Sequence, residues 1–177
     1  MIAARELRRF PDEIVGRRRE IAEIERLLED SRVVTVAGPG GIGKTRLAIE
    51  IASRRQHRQA AVTFVELTSI CDEKLVADAV ASAVGLEVPP HQESAQALVA
   101  ALGNRPALLV LDNCEQVSKG AGALVARLAS ECRNLQLLST SRESLGIPNE
   151  FVYRLGALDE ASAVELFVAH ARRANPR

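Results

Sequence analysis

Aromatic residues are scarce. The 177-residue sequence has no tryptophan, one tyrosine and four phenylalanines, which argues against a base-stacking platform for single-stranded nucleic acid. Cysteine is nearly as rare. Cys71, Cys114 and Cys132 are odd in number and form no CxxC pair, so neither a disulfide framework nor a zinc site is indicated, and unpatterned thiols suit a reducing cytoplasm. No apolar run approaches the roughly 18 residues of a membrane span, and the Arg-bearing start, Met1 to Phe10, lacks the apolar core of a secretory signal. Net charge is absent too, with 23 basic against 23 acidic residues. Nothing in the bulk charge calls for nucleic acid or an anionic membrane. The balance is uneven along the chain, however: 13 basic and 9 acidic residues lie up to Arg58.

What is present is an ordinary globular composition, 47% hydrophobic and 26% charged, at a length that fits one domain. Short apolar runs at Val33–Val36, Ala61–Leu67, Ala107–Leu111, Leu135–Thr140 and Phe151–Arg154 read as strands. Helix-period segments Lys44–Arg54, Glu73–Val84, Ser94–Leu102 and Gln116–Glu131 lie between them, with Gly16–Leu28 before and Asp159–Arg173 after. Strands alternating with helices predict an α/β fold, a parallel sheet covered on both faces. The run Ala107–Leu111 is apolar without alternation, as a doubly buried strand should be. Turn signals at Gly85–Gln92, Gly103–Pro106 and Gly146–Asn149 separate the elements.

The strongest motif is Gly38-Pro39-Gly40-Gly41-Ile42-Gly43-Lys44-Thr45, a full match to G-x-x-x-x-G-K-[ST] between a strand and a helix. A glycine-rich loop can turn its backbone N–H groups around an anion, and the next helix aims its positive end at the same point. Lys44 supplies a cation to β- and γ-phosphates, and Thr45 offers a hydroxyl to Mg²⁺. Nucleotide-binding candidates therefore run from Gly38 through Arg46. Asp112 ends the apolar strand, where a carboxylate can hold Mg²⁺ beside Thr45. Of the neighbours, Asn113 is a poor base, while Glu115 reads either as the group that orients an attacking water or as a surface glutamate. Arg142, after Leu137-Leu138-Ser139-Thr140-Ser141, reaches a γ-phosphate if its strand lies beside the phosphate-loop strand; otherwise it is a solvated loop arginine. Thr140 and Ser141 are weaker candidates. Upstream, Ile14-Val15-Gly16-Arg17 followed by Glu20 reads by itself as a helix start.

Taken in this order, the four segments resemble the STAND class of P-loop ATPases, the group containing the NB-ARC switches, and in particular the ATPase module of bacterial LuxR-type and AfsR/SARP-type transcriptional regulators. The likeness rests on Ile14-Val15-Gly16-Arg17…Glu20, Val36 to Ala48, Leu109 to Glu115 and Thr140 to Gly146, and it spans Ile14 to Arg173. It implies a three-layer P-loop NTPase fold of the ASCE type, with a five-stranded parallel sheet in order 2-3-4-1-5 flanked by helices. By the same resemblance Val15, Gly16 and Arg17 line adenine and ribose, Arg142 senses the γ-phosphate, and the ligands are ATP or ADP with Mg²⁺. Lys44, Asp112, Glu115 and Arg142 form the catalytic set, with Thr45 and Asp112 on the metal.

The resemblance further implies a division into a basic tail (1–13), a nucleotide-binding domain (14–157) and the first helix of a following helical domain (158–177). Helical and winged-helix domains of a longer parent would be partners, and DNA would be met only through a parent effector domain. Many relatives carry a second carboxylate directly after the metal aspartate, where this chain has Asn113. A slow cytoplasmic ATPase acting as a nucleotide-operated switch is therefore the expectation. The alternatives are an AAA/ORC-like ATPase working on nucleic acid, with Arg127, Arg133 or Arg142 as an intersubunit finger, and a small-molecule kinase.

Overall fold

The computed structural model describes residues 14–58, 61–103 and 105–174. The expected basic tail at 1–13 lies outside the described residues. Five strands, β1 (Val33–Ala37), β2 (Ala61–Glu66), β3 (Ala107–Asp112), β4 (Leu135–Ser141) and β5 (Phe151–Arg154), form one sheet in the order β2-β3-β4-β1-β5. Every pairing is parallel. The topology expected from the resemblance is the one observed, and β4 lies between β1 and β3.

Alternation along the strands divides the core between two faces. Val33, Leu109, Leu111, Leu135 and Leu137 face α3 (Val76–Val84), α4 (Ser94–Leu102) and α5 (Ser118–Glu131). Val34, Val36, Leu108, Val110 and Leu138 pack with α1 (Arg18–Ser31) and α2 (Lys44–His57). The central strands are buried on both faces, and for that reason β3 reads as an unbroken apolar run over Ala107–Leu111, while β1 admits only Thr35 and β4 turns to hydroxyl residues at its C-terminal end. The last helix, α6 (Glu160–Ala174), follows edge strand β5.

Several boundaries shift for local reasons. α1 starts at Arg18 rather than Gly16, because Gly16 is left-handed at φ +69° and Arg17 lies outside helical geometry. Residues Glu73–Leu75 form a separate 3₁₀ turn, capped where Asp72 Oδ1 accepts from the Lys74 amide at 3.0 Å. Cys114–Gln116 forms another, so α5 begins at Ser118. Among the described residues no helix is long and apolar enough to cross a membrane.

Candidate functional site

The C-terminal edge of a parallel α/β sheet is where such folds gather ligands. Here β1, β3 and β4 deliver the motif residues to that edge side by side. β1 runs into the glycine-rich loop, and α2 starts at Lys44 immediately after it. The loop is anchored to β4 by the Gly38 amide, which donates to the Ser141 carbonyl at 3.3 Å. Gly43 turns the chain at φ +101°, a conformation open to glycine and costly for other residues. A side-chain carbon added at Gly40, Gly41 or Gly43 would meet nothing within 4 Å. From Gly40 to Gly43 the loop's glycines therefore border open space, while Gly38 is packed against the Leu155 carbonyl, 3.1 Å from an added carbon. Lys44 is buried, and its Nζ donates to the carbonyls of Gly38 at 2.8 Å and Pro39 at 3.1 Å. Arg46, in the first turn of α2, is half-buried.

β3 ends on Asp112, which is 1% exposed. The Thr45 hydroxyl lies 3.0 Å from each of its carboxylate oxygens, and the Thr140 hydroxyl donates to Oδ1 at 2.5 Å. Thr140 reaches Asp112 because β4 is the direct neighbour of β3. Burial pushes the Asp112 carboxyl above its ordinary range, opposed by the Thr140 and Thr45 hydrogen bonds and reinforced by the negative charges of Glu66 and Glu115. A carboxylate so placed is one whose charge a bound cation would stabilise, and a hydroxyl with a carboxylate is a hard-oxygen donor pair of the kind magnesium takes.

Asn113 adopts a left-handed backbone at φ +67°. Its amide donates to Thr140 Oγ1 at 2.9 Å, and its side-chain nitrogen donates to Thr68 Oγ1 at 2.8 Å. Glu115 sits in the following 3₁₀ turn. One of its oxygens lies 3.4 Å from Arg142 Nε, and the other is buried without a hydrogen-bond partner. A buried acceptor in that condition carries a desolvation cost and offers a place for a water or ligand donor. Arg142 follows β4 directly, with its side chain 69% exposed. The structure therefore brings Lys44, Thr45, Asp112, Thr140, Glu115 and Arg142 to one edge of the sheet.

The upstream segment behaves differently. Val15 is half-buried. The Arg17 side chain is 5% exposed, and its guanidinium donates to Glu20 at 2.6 Å, to the Gly156 carbonyl at 2.8 Å and to the Ile42 carbonyl of the glycine-rich loop at 3.3 Å. The expectation that Arg17 lines adenine and ribose thus meets a side chain turned onto protein groups. Gly16 lies against the start of α6, where an added carbon would overlap Ser162. Nothing near residue 17 in the sequence signals Gly156 or Ser162, which arrive from the far end of the chain.

Residues 13–143 match the AAA ATPase domain family. The chain is 42% identical over 151 residues to a Mycobacterium tuberculosis protein named as an HTH-type transcriptional regulator; the match covers 85% of this chain and 17% of that relative. The chain thus spans about a sixth of that relative's length. Among solved structures it is similar to Cdc6p from Pyrobaculum aerophilum, with TM-score 0.68 and 15% identity over 92% of this chain and 51% of that one. It is also similar to a signal transduction ATPase with numerous domains (STAND) from Pyrococcus horikoshii that bears a tetratricopeptide repeat sensor, with TM-score 0.58 and 20% identity over 92% of this chain and 26% of that one. At such identities these structures support the fold.

Proposed function

The chain belongs to the AAA ATPase domain family, and from that premise we propose that it is the adenine-nucleotide-binding domain of a STAND-type ATPase, serving as a nucleotide-operated switch in a longer transcriptional regulator. The observation that carries this reading is the Thr45 hydroxyl 3.0 Å from both oxygens of buried Asp112, beside an open glycine-rich loop. Loop amides and the N-terminus of α2 bind the phosphates. Lys44 exchanges its two loop carbonyls for β- and γ-oxygens. Thr45 and Asp112 hold Mg²⁺, which when bound offsets phosphate charge. Thr140 keeps the Asp112 carboxylate facing Thr45. Arg142 reads the γ-phosphate, and Val15 and Gly16 border the adenine and ribose through their backbone.

Hydrolysis is slow in this reading. Asn113 offers no carboxylate and is tied to Thr68 and Thr140. Glu115 orients the attacking water, but Arg142 engages one of its oxygens. Slow turnover suits a switch, whose work depends on different affinities for two conformations. Residues 14–157 form the nucleotide-binding domain, and α6 opens a following helical domain. Its exposed Val164, Phe167 and Val168, at 57%, 74% and 38%, support that division. Free cysteines, two of them buried, fit a cytoplasmic setting.

Calorimetric titration with ADP, Mg-ATP and GTP tests the reading, after a denatured sample has been checked for carried nucleotide. Adenine nucleotides should bind and GTP should not. At a hundredfold excess over Kd, binding should stabilise the fold by about 2.7 kcal/mol. Lys44→Ala should remove that gain while leaving the circular dichroism spectrum unchanged. Equal binding of GTP sinks the adenine assignment, and a Lys44→Ala protein that shifts like wild type sinks the phosphate-loop assignment.

A further inference from the structure

Arg142 opens a stretch, residues 142–150, that carries no helix or strand between β4 and β5. In a parallel sheet the chain must return the length of a strand here, and helices usually make that journey because they satisfy their own backbone. This crossover must find its hydrogen bonds elsewhere, and much of them comes from one side chain. Glu150 Oε1 accepts from the Leu145 amide at 2.8 Å, while Oε2 accepts from the Gly146 amide at 2.9 Å and the Ser144 hydroxyl at 2.8 Å, with the Ile147 amide at 3.5 Å. Successive amides converging on one anion form a nest, and here the anion is supplied internally. Burial raises the Glu150 carboxyl, but the Thr35 hydroxyl, the Leu145 amide, the Ser144 hydroxyl and the Gly146 amide together outweigh that and hold it below its ordinary range.

The nest has a fixed address. Glu150 directly precedes β5, whose Phe151 pairs with Val34 of β1. On its other side the loop presses on α5 at Gly122, where an added carbon would come within 3.2 Å of the Leu145 carbonyl and 3.3 Å of Ile147 Cγ2. Arg142 is thereby held between two anchored neighbours: Ser141, whose carbonyl accepts from the Gly38 amide, and Ser144, whose hydroxyl donates to Glu150. Its own side chain supplies little restraint, being 69% exposed with Glu115 3.4 Å away.

We propose that Glu150 is the positioning residue for Arg142, holding the β4–β5 crossover so that the guanidinium faces the phosphate loop and ATP is told from ADP. This rests on the reading of Arg142 as the γ-phosphate sensor, and the test separates the two. Glu150→Gln keeps size but turns an amide group toward amide donors. Hydrogen exchange of residues 144–147 should accelerate in that variant while the β1 and β3 amides stay protected. Titration with Mg-ATP and Mg-ADP should show the ATP-over-ADP preference reduced by roughly fivefold, with ADP affinity kept. Arg142→Ala should reduce the preference similarly, and the double variant should lose no more than the larger single loss, because both act through one contact. Ser144→Ala, which removes one donor only, should give a smaller change in the same direction and serves if Glu150→Gln fails to fold.

Unchanged exchange at 144–147, or additive losses in the double variant, overturns the positioning role. A preference altered by Arg142→Ala and untouched by Glu150→Gln does so while leaving the sensor reading in place. A preference untouched by Arg142→Ala removes the sensor reading and the positioning role together.

Discussion

Gly16 and Gly40 lie in segments joined by the Arg17–Ile42 hydrogen bond, yet a methyl group added to each would meet opposite surroundings. At Gly40 nothing stands within 4 Å, whereas at Gly16 the methyl would overlap the Cβ and Oγ of Ser162 and touch Leu158 at 3.0 Å. Gly16 is also left-handed, at φ +69°. The glycine-rich loop is thus built around space at Gly40, Gly41 and Gly43, and the upstream segment is built around contact. Arg17 joins them, because one guanidinium holds both the loop carbonyl of Ile42 and the Gly156 carbonyl between β5 and α6. Two segments sharing a residue type answer to different physics: one borders open space, and the other packs two distant parts of the chain together.

The sharpest way to break this contrast is Gly16→Ala. A left-handed alanine costs roughly 1 kcal/mol or more, and overpacking costs roughly 1–3 kcal/mol, so a loss of about 2–4 kcal/mol is expected. Urea denaturation would show it as a lower midpoint at an unchanged slope. A variant within about 0.5 kcal/mol of wild type would mean that α6 can slide away from Gly16 freely, and the tight junction would not exist.

Arg17→Lys should have the next largest effect. A lysine can keep the Glu20 partner or one carbonyl but cannot fork across all of them, and charged hydrogen bonds are worth about 1.5–3 kcal/mol. If Arg17 is a strut, nucleotide-free protein loses about that much stability in the same denaturation. If it instead contacts ribose, stability holds and nucleotide affinity falls, so the two measurements together decide between the roles.

Which parts were legible in the sequence follows the same divide. The strands were readable because β1, β3 and β4 are buried on both faces and so are rich in apolar residues, without a break only in β3 over Ala107–Leu111, and the glycine-rich loop was readable because its residues are contiguous. Strand order came by resemblance rather than from the strands themselves. Helix starts slipped wherever a local device intervened, as with left-handed Gly16 before α1 and the 3₁₀ turn ahead of α5. The clamp of Thr140 on Asp112 needs the β3–β4 pairing before it can be seen. Arg17 and Gly156 are 139 positions apart, and no spacing rule spans that. Glu150 reads in sequence as a charge beside a turn, and only the folded crossover reveals the amides it gathers.

The smallest expected effect is the most informative about the open side of the comparison. Gly40 lies outside the left-handed region, so alanine fits its backbone, and its added carbon has no neighbour to displace. The unfolded chain meanwhile loses freedom when glycine becomes alanine, which favours the folded state by about 0.4–1 kcal/mol. Gly40→Ala should therefore leave the urea midpoint unchanged or raise it slightly, the reverse of Gly16→Ala. An unfolding free energy lowered by more than about 1 kcal/mol would place Gly40 in the same class as Gly16. In that case the loop would owe its glycines to packing within the protein, and the space beside Lys44 and Thr45 would have to be explained without a ligand.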